Sequence, residues 1–288
     1  MKKQIITLRV VVLAIATILL VGMSVSCGSS RAAAMATSGA TISGGLKDTP
    51  KQIEAAKRWK NFSIPRIDFE DKAPNSEGSH IYHALIANPE AYINKVAREV
   101  LNTLYYSEKD SIPRFYRLHY TLEDTDGVSA KGGGGGNVTI FYSTRHIQRS
   151  FVNNDTARVD FETRGVLLHE LTHAFQLEPQ GIGDYGSNKT FWAFIEGMAD
   201  AVRVANDGFH GEKDRPKGGN YKDGYRYTGY FLAWIQQTKD HDFLKKFNRT
   251  AIEVIPWSWD GAVQKCLGKN YTMDGLWHEY QVAMGDVK

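Results

Sequence analysis

Two segments of the chain are apolar around most of a helical surface, yet each carries charged residues inside that surface. The first covers 161–177, and the second runs from Thr190, whose hydroxyl can cap a helix, to Ala205. Helices that are apolar on nearly all sides are buried in a protein core. Most of the apolar surface of the first segment comes from Val166, Leu167, Leu168, Leu171, Ala174 and Phe175. We therefore predict two core helices joined by a polar, glycine-rich loop over 178–189.

The rest of the pattern predicts further helices and three short strands. Ile93 and Val96 recur at helical spacing, whereas Val138 and Ile140 alternate with residues of the opposite face, as in a strand. The predicted helices are 89–106, 222–238, 242–252, 259–267 and 273–284. The predicted strands are 62–68, 114–123 and 137–143. Because strands precede helices, we expect an α+β fold in which a small mixed β-sheet packs on a mainly helical body around a core helix over 161–177.

Charged residues in the first core helix have the spacing of a metal site. The run His169-Glu170-Leu171-Thr172-His173 is an HExxH motif. His169 and His173 are four residues apart, so they lie on one face of a helix and can bind one ion. Glu170 lies about 100° further round, close enough to reach a metal-bound water without binding the ion. With a third protein ligand, the fourth zinc position stays open for water, so the motif predicts a catalytic zinc site.

The second core helix supplies the remaining acids. Glu196 is the best candidate for the third zinc ligand, with Glu178, Asp184 and His210 as alternatives. Asp200 lies one turn beyond Glu196 on the same face. Zinc-bound histidines usually donate their outer ring N–H to a carboxylate, which fixes the tautomer. Asp200 is therefore expected to hold one of the two histidines.

Three further positions refine the enzyme class. A metzincin motif is excluded because Gln176 stands where glycine is required and Pro179 where the third histidine would be. Arg203, near the end of the second core helix, could neutralise either acid of that helix. A serine hydrolase is disfavoured because the sequence has no Gly-x-Ser-x-Gly motif.

Four stretches of the chain resemble one family: VLLHELTHAFQ, FIEGMADAVRV, GYRYTGYFLAWI and MDGLWHEYQ. They resemble the basic secretory protein family of plant and bacterial peptidases, from about residue 137 to the C-terminus and more loosely back to about residue 50. That family resembles gluzincin zinc metallopeptidases, in which a glutamate on a following helix completes HExxH. The resemblance implies a zincin-like catalytic domain with zinc ligands His169, His173 and Glu196, general base Glu170 and supporting acid Asp200.

The chain departs from the family pattern ahead of the next helix. The family often has Trp-Asp-Gln-Gly-Tyr where this chain has Tyr221-Lys222-Asp223-Gly224-Tyr225, so only the Gly-Tyr end is kept. A zinc peptidase also needs a donor for the oxyanion of its tetrahedral intermediate. We predict that Tyr225 is this donor because it is the retained tyrosine. Tyr227, Tyr230 and His210 are the alternatives.

The predicted reaction is hydrolysis of a peptide bond in a peptide or protein substrate. Zinc lowers the pKa of its bound water toward ~7 and polarises the scissile carbonyl. Glu170 takes the water proton and passes it to the leaving amine. The strand 137–143 either is a sheet edge that pairs with an extended substrate or lies inside the sheet. A zinc amidase acting on other amide bonds and an inactive surface lipoprotein that binds a ligand are the alternative functions.

The N-terminus has the pattern of a secretory signal peptide over 1–26. Basic residues precede an uncharged apolar run of 12 residues over 10–21, and a helical membrane span would need roughly 20. Removing the signal takes away Lys2, Lys3 and Arg9 and no acid, so the formal net charge falls from +3 to 0. No basic patch with interleaved aromatic residues is present in the sequence, so we expect no nucleic-acid partner.

The residues after this run predict a lipid anchor. Val25-Ser26-Cys27-Gly28 resembles a bacterial lipoprotein box, in which Cys27 becomes the lipidated first residue. Residues 27–48 would then be a flexible tether from the membrane, and 49–288 a single catalytic domain. The expected location is the cell envelope. Ordinary secretion after cleavage near 32–36 and an uncleaved anchor are the alternatives.

Three other features predict structure rather than chemistry. With Cys27 lipidated, Cys266 is alone and is expected to be a small buried apolar residue. The glycine run 132–136 is predicted to be a mobile loop. His80 and His83 form a weak metal-like pair that is better explained by the start of a surface helix. We expect the protein to be a monomer.

Overall fold

The computed structural model describes residues 48–287, so the predicted signal peptide, Cys27 and all but the end of the predicted tether lie outside the described residues. Within this range the chain forms ten α-helices and four strands. The helices are α1 (Pro50–Arg58), α2 (Glu77–Leu85), α3 (Pro89–Leu104), α4 (Thr144–Ser150), α5 (Thr156–Phe175), α6 (Lys189–Ala205), α7 (Tyr225–Thr238), α8 (Phe243–Glu253), α9 (Trp259–Leu267) and α10 (Met273–Ala283). The strands are β1 (Arg66–Asp71), β2 (Arg117–Glu123), β3 (Ser129–Gly134) and β4 (Asn137–Ser143). The predicted combination of a small mixed sheet with a mainly helical body is therefore confirmed.

The sheet has the strand order β1-β2-β4-β3. β1, β2 and β4 are parallel, and β3 runs antiparallel to β4 at one edge. Leu118 of β2 lies opposite Val138 of β4, and Tyr120 lies opposite Ile140; all four side chains are buried. Of the two alternatives for 137–143, the structure has the interior strand, because β4 is hydrogen-bonded to β2 on one side and to β3 on the other.

The glycine run 132–136 is not the predicted mobile loop but the end of β3 and its turn into β4. Gly132, Gly133 and Gly134 pair with β4 residues in regular register. Gly133 has φ +101°, and a Cβ at this position would lie 2.2 Å from the carbonyl oxygen of Asn137. A strand can form here because ladder hydrogen bonds use only backbone atoms, and glycine alone fits the close approach.

Short helices account for most of the other differences from the prediction. The helices α1 and α4 were not predicted, and α2 was predicted only as the start of a surface helix at His80 and His83. Each of the three begins at a side-chain cap, provided by Thr49, Ser76 and Ser143 respectively. The strand expected over 62–68 begins only at Arg66, because Phe62 packs edge-on against Trp59 just after α1, at 5.6 Å between ring centroids.

The core surrounds α5, which contacts α3, α4, α6 and β3. The most extensive helix contact is between α6 and α7. Gly197 of α6 and Gly229 of α7 permit it: a Cβ on Gly197 would lie 2.3 Å from Cγ2 of Thr228, and one on Gly229 would lie 2.6 Å from Cβ of Asp200. The two backbones approach closely because these positions carry no side chain, and this holds the start of α7 beside α6.

A buried ion pair fastens the first half of α5 to α3. The guanidinium of Arg164 binds both carboxylate oxygens of Glu99, and both side chains are at least nine-tenths buried. Arg164 also donates to the carbonyl oxygen of Asn206 at 2.8 Å, and Gln52 donates to Glu99 Oε1 at 2.9 Å. Both oxygens of this buried carboxylate therefore have a donor.

None of the helices within 48–287 has the length and apolarity of a membrane span.

Candidate metal centre

The HExxH motif occupies the last two turns of α5. This helix begins after Asp155, whose carboxylate accepts the backbone N–H of Arg158 at 3.0 Å, and it is therefore longer at its start than the predicted 161–177. It ends at Phe175 because Gln176 takes an extended backbone conformation, with φ −71° and ψ 151°. The motif thus lies where the helix ends, and the residues just beyond it can fold back over the histidines.

The two histidines face one another across one helical turn. The Nε2 atoms of His169 and His173 are 3.1 Å apart, and the rings are perpendicular with centroids 4.7 Å apart. Side-chain exposures of 14% and 11% leave both rings largely shielded, with a narrow opening to solvent. This is the arrangement that the four-residue spacing predicts.

Glu196 from α6 completes a group of three donor atoms. Its Oε2 lies 3.3 Å from Nε2 of His169 and 3.6 Å from Nε2 of His173. Within 48–287 these three side chains are the group that could hold a metal ion, with ligand atoms all within 4.8 Å of one another. The helix that presents Glu196 is capped by Asn188 rather than by the predicted Thr190: Asn188 Oδ1 accepts the backbone N–H of Thr190 at 2.8 Å.

The alternative third ligands lie elsewhere. Asp184 accepts the backbone N–H groups of Gly186 and Ser187 in the loop before α6. His210 stacks on Phe161 at the other end of α5, with ring centroids 4.2 Å apart. Glu178 is exposed and is not part of the group of three.

Asp200 contacts the Nδ1 side of His169. Its Oδ1 lies 2.8 Å from Nδ1 of His169. Burial disfavours the charged imidazole, but the charge and hydrogen bond of Asp200, together with Glu196, outweigh burial and raise the pKa of His169. Burial likewise disfavours the ionised form of Glu196, but the neighbouring imidazoles of His169 and His173 hold the pKa of this carboxyl below its usual range.

Two residues that the sequence did not assign to the site also contact the donor groups. Gln176 places its side-chain Nε2 2.8 Å from Nδ1 of His173. Tyr185, in the loop before α6, donates its hydroxyl to Oε1 of Glu196 at 2.5 Å. For Gln176 the signal was its position three residues after His173; for Tyr185 the sequence held none.

The donor atoms fit a divalent cation such as zinc. Glu196 Oε2 is buried and has no hydrogen-bond partner, although its Oε1 is bound by Tyr185. A buried carboxylate oxygen without a donor is expensive unless a cation neutralises it. Two imidazole nitrogens and one carboxylate oxygen are the ligand set of catalytic zinc sites of the His₂Glu type.

Comparison with known proteins identifies the family. The family described as peptidase of plants and bacteria matches residues 64–280, well over half of the chain. The chain belongs to this peptidase family. The resemblance to the basic secretory protein family is thereby confirmed, and it supports a peptidase at the level of the family. A search of curated proteins finds no match.

Of the candidate tyrosines, Tyr225 is the one that lies against a histidine of the motif. It is the first residue of α7, has φ +42°, and follows Gly224, whose φ is +70°. Its ring stacks on His169 with centroids 6.0 Å apart and meets Trp192 edge-on at 5.6 Å. The residue is 39% exposed, so part of it reaches solvent beside the site. Burial, followed by the charges of Glu196, Asp200 and Glu170, raises the pKa of Tyr225 and keeps the hydroxyl protonated.

The alternatives to Tyr225 have other contacts. Tyr230 donates its hydroxyl to the carbonyl oxygen of Gly211 at 2.8 Å. The ring of Tyr227 packs over Gly219. Glu170 is buried, and its charge contributes to the raised pKa of Tyr225, so the predicted base and the predicted oxyanion donor are near each other.

The expected role of Arg203 is wrong. Its guanidinium binds Glu162 at 3.0 Å and the carbonyl oxygen of Gly208 at 2.9 Å, rather than Glu196 or Asp200. The reason is that Gly165 of α5 has no side chain, and the Arg203 guanidinium crosses α5 at that position.

The remaining candidates from the sequence lie away from the centre. His83 of α2 binds Asp71, the last residue of β1, at 3.0 Å, and neither His80 nor His83 belongs to the group that could hold a metal. Cys266 is half-buried, and burial raises the pKa of its thiol to about 12, which disfavours a nucleophilic thiolate at neutral pH.

Proposed function

We propose that this protein is a zinc-dependent peptidase with a zincin-like catalytic domain. The observation that carries the proposal is the convergence of three donor atoms, from His169, His173 and Glu196, of which the Glu196 oxygen is buried without a partner. Membership in a peptidase family supplies the reaction class. The HExxH motif, with a glutamate from a following helix, supports zinc as the ion.

Zinc bound by these three side chains would supply Lewis acidity, polarising the scissile carbonyl and lowering the pKa of a water molecule. Glu170 is the proposed general base: it takes a proton from the attacking water and gives it to the leaving amine. Asp200 accepts the Nδ1–H of His169 and so keeps its Nε2 lone pair directed at the ion.

Tyr225 is the proposed donor to the carbonyl oxygen as negative charge develops there. A donor must keep its proton at the working pH, and the raised pKa of Tyr225 ensures this. It must also reach substrate, and the ring lies partly exposed against His169. A fixed donor of this kind stabilises the tetrahedral intermediate more than the ground state.

The free edge of β3 is the proposed binding strand for the substrate backbone. β3 lies at the end of the sheet order and contacts α5, whereas β4 is paired on both sides. An extended peptide can add to such an edge through backbone hydrogen bonds. The proposal also includes export and attachment through a lipidated Cys27. Mass spectrometry of the protein extracted from membranes tests this, since an unmodified Cys27 would contradict it.

The metal site is tested by zinc content, measured by plasma emission on protein purified without added metal. We expect about one zinc per wild-type chain, and sharply lower zinc in His173→Ala and Glu196→Ala, because a three-ligand site does not survive loss of a ligand. His210→Ala is the matched control, since this histidine stacks on Phe161 outside the centre. No zinc in the wild type even after zinc is supplied would reject the proposal, leaving a non-catalytic binding protein. Unchanged zinc content in Glu196→Ala would mean that another residue is the third ligand.

Glu170→Gln separates metal binding from chemistry. The variant is expected to retain zinc and lose peptide cleavage by about 10²–10⁴-fold, the usual contribution of a general base. Cleavage of a mixed peptide library, followed by mass spectrometry, is the measurement. Wild-type turnover by the variant would show that another group takes the proton.

Tyr225→Phe removes only the hydroxyl. We expect kcat to fall by about 10²–10³-fold, as when one oxyanion donor is lost, with zinc content unchanged. Tyr230→Phe serves as the control because its hydroxyl binds the Gly211 carbonyl instead. A kcat that falls equally in both variants would indicate a packing effect and not an oxyanion donor.

A further inference from the structure

Gln176 directly follows the last residue of α5, and its side chain folds back over the motif. Its backbone N–H closes the helix on Thr172 O at 2.7 Å, after which the chain becomes extended. The side chain is buried, with 4% of the residue exposed, and its amide lies 2.8 Å from Nδ1 of His173. His173 is therefore held from behind by Gln176, just as His169 is held by Asp200.

The two outer contacts impose different protonation on the two histidines. A carboxylate only accepts, so Asp200 places the proton of neutral His169 on Nδ1 and leaves Nε2 with its lone pair. With the amide nitrogen of Gln176 facing it, Nδ1 of His173 would have to accept, and the ring proton would then be on Nε2. In that arrangement the Nε2–H of His173 points toward His169 and Glu196, and a protonated ring nitrogen cannot bind a cation.

The other atom of the same amide resolves this conflict. Oε1 of Gln176 is buried and has no hydrogen-bond partner. Because the oxygen and nitrogen of an amide have nearly the same shape, rotation by 180° about its terminal bond exchanges them without displacing neighbours. After rotation, Oε1 accepts Nδ1–H of His173. There is one hydrogen bond before and one after, and the Nε2 lone pair becomes free.

We propose that Gln176 is the positioning residue of His173: with metal bound, its side-chain oxygen accepts Nδ1–H and directs Nε2 at the ion. This assignment rests on the proposed zinc site and deepens it. In this arrangement Nδ1 of His173 carries the ring proton and Nε2 carries the lone pair. Gln176, which stands where a metzincin has glycine, thus has a proposed role at the metal site.

The test is zinc affinity, measured by competition with a chromophoric chelator on the purified chain. Gln176→Leu keeps bulk but removes the acceptor, and we expect zinc to bind about 10–100-fold more weakly, the usual effect of losing such a partner. Gln176→Glu restores an acceptor, so it should bind zinc at least as tightly as the wild type. Gln52→Leu is the control: it removes another buried glutamine hydrogen bond, to Glu99, outside the centre. It should lower thermal stability but leave zinc affinity unchanged.

A spectroscopic readout is independent of affinity. In zinc-loaded protein with labelled histidine, two imidazole Nδ1–H signals should be protected from solvent exchange, one for each of His169 and His173. Gln176→Leu should lose protection only at His173, since Asp200 still holds His169.

Equal zinc affinity in Gln176→Leu and wild type, or no recovery in Gln176→Glu, would overturn the assignment while leaving the zinc site intact. A wild-type chain that binds no zinc would overturn the proposed function and this assignment with it.

Discussion

In its first half α5 holds Arg164 against Glu99, and in its second half it holds His169 and His173 beside Glu196. Both groups are buried and both pair cationic or cation-binding side chains with a glutamate. They differ in how the glutamate is satisfied. Glu99 receives donors on both oxygens, whereas Glu196 receives Tyr185 on one oxygen and has none on the other.

This difference separates a structural cluster from the proposed metal-binding site. A buried charge that serves the fold is satisfied by the protein itself, because each missing hydrogen bond destabilises the folded state. A site for an ion must instead direct several unsatisfied donor atoms at one point, at some expense of stability. Glu162, which is bound by His146 and Arg203 at 3.0 Å each, belongs with the satisfied group.

The largest expected effect is on the satisfied pair. Glu99→Ala leaves the Arg164 guanidinium buried without its carboxylate, and we expect the free energy of unfolding to fall by about 3–5 kcal/mol in urea denaturation. The exposed Glu90→Ala on the same helix is the control and should change stability by about 0.5 kcal/mol or less. Zinc affinity of the folded Glu99→Ala variant should equal that of the wild type. A loss of zinc affinity in Glu99→Ala would show that the ion pair in the first half of α5 is not independent of the proposed zinc site in its second half.

The pH dependence of stability tests whether the ionised Glu162 stabilises the fold, as expected of a carboxylate with donors of its own. Burial disfavours its charge, but the hydrogen bond of His146 and the charge of Arg203 prevail and lower its pKa to about 2 from 4.5. A depressed carboxyl pKa adds stability above the unfolded value, which is lost as pH falls toward the folded value.

Glu162→Gln should therefore be less stable than the wild type by about 2–3 kcal/mol at pH 7, and this gap should close between about pH 4.5 and pH 2. Urea denaturation at several pH values measures it, with the exposed Glu108→Gln as control. A gap that stays constant down to pH 3 would show that the effect is not the charge of Glu162.

The smallest expected effect is the one on zinc affinity when Tyr185, the hydrogen-bond partner of Glu196, is changed. Tyr185→Phe removes the donor to Oε1 of Glu196, and we expect zinc affinity to fall about tenfold, or about 1.4 kcal/mol. Tyr221→Phe is the matched control, since it removes a tyrosine hydrogen bond to Asp274 away from the centre. If both variants bind zinc equally well, Tyr185 is a loop contact only.

The centre itself was largely predictable because helical spacing is a local property. The four-residue spacings within α5 and within α6 place His169 with His173 and Glu196 with Asp200 whatever the rest of the fold does. That the two helices face each other was implied by the family resemblance and not by spacing.

The contacts that the sequence did not reveal all depend on where the chain goes after a helix ends. Gln176 reaches His173 because α5 stops one residue earlier than Gln176, and Tyr185 reaches Glu196 because a loop folds back. The strand β3 was not predicted for another reason. Half of its residues are glycine, so its sequence lacks the alternation of apolar and polar side chains that indicates a strand. Arg203 was misassigned because its path across Gly165 cannot be seen from its own helix.

The paired glycines of α6 and α7 fix how closely the start of α7 lies to the helix that carries Glu196 and Asp200. Gly197 and Gly229 let two backbones meet, and Tyr225 stands on the first turn of the helix they position. A methyl group at either position would wedge the helices apart and move the tyrosine relative to His169. Random mutagenesis screened for lost activity should therefore find these two positions alongside the acids and histidines, and directed evolution of substrate preference has little freedom there.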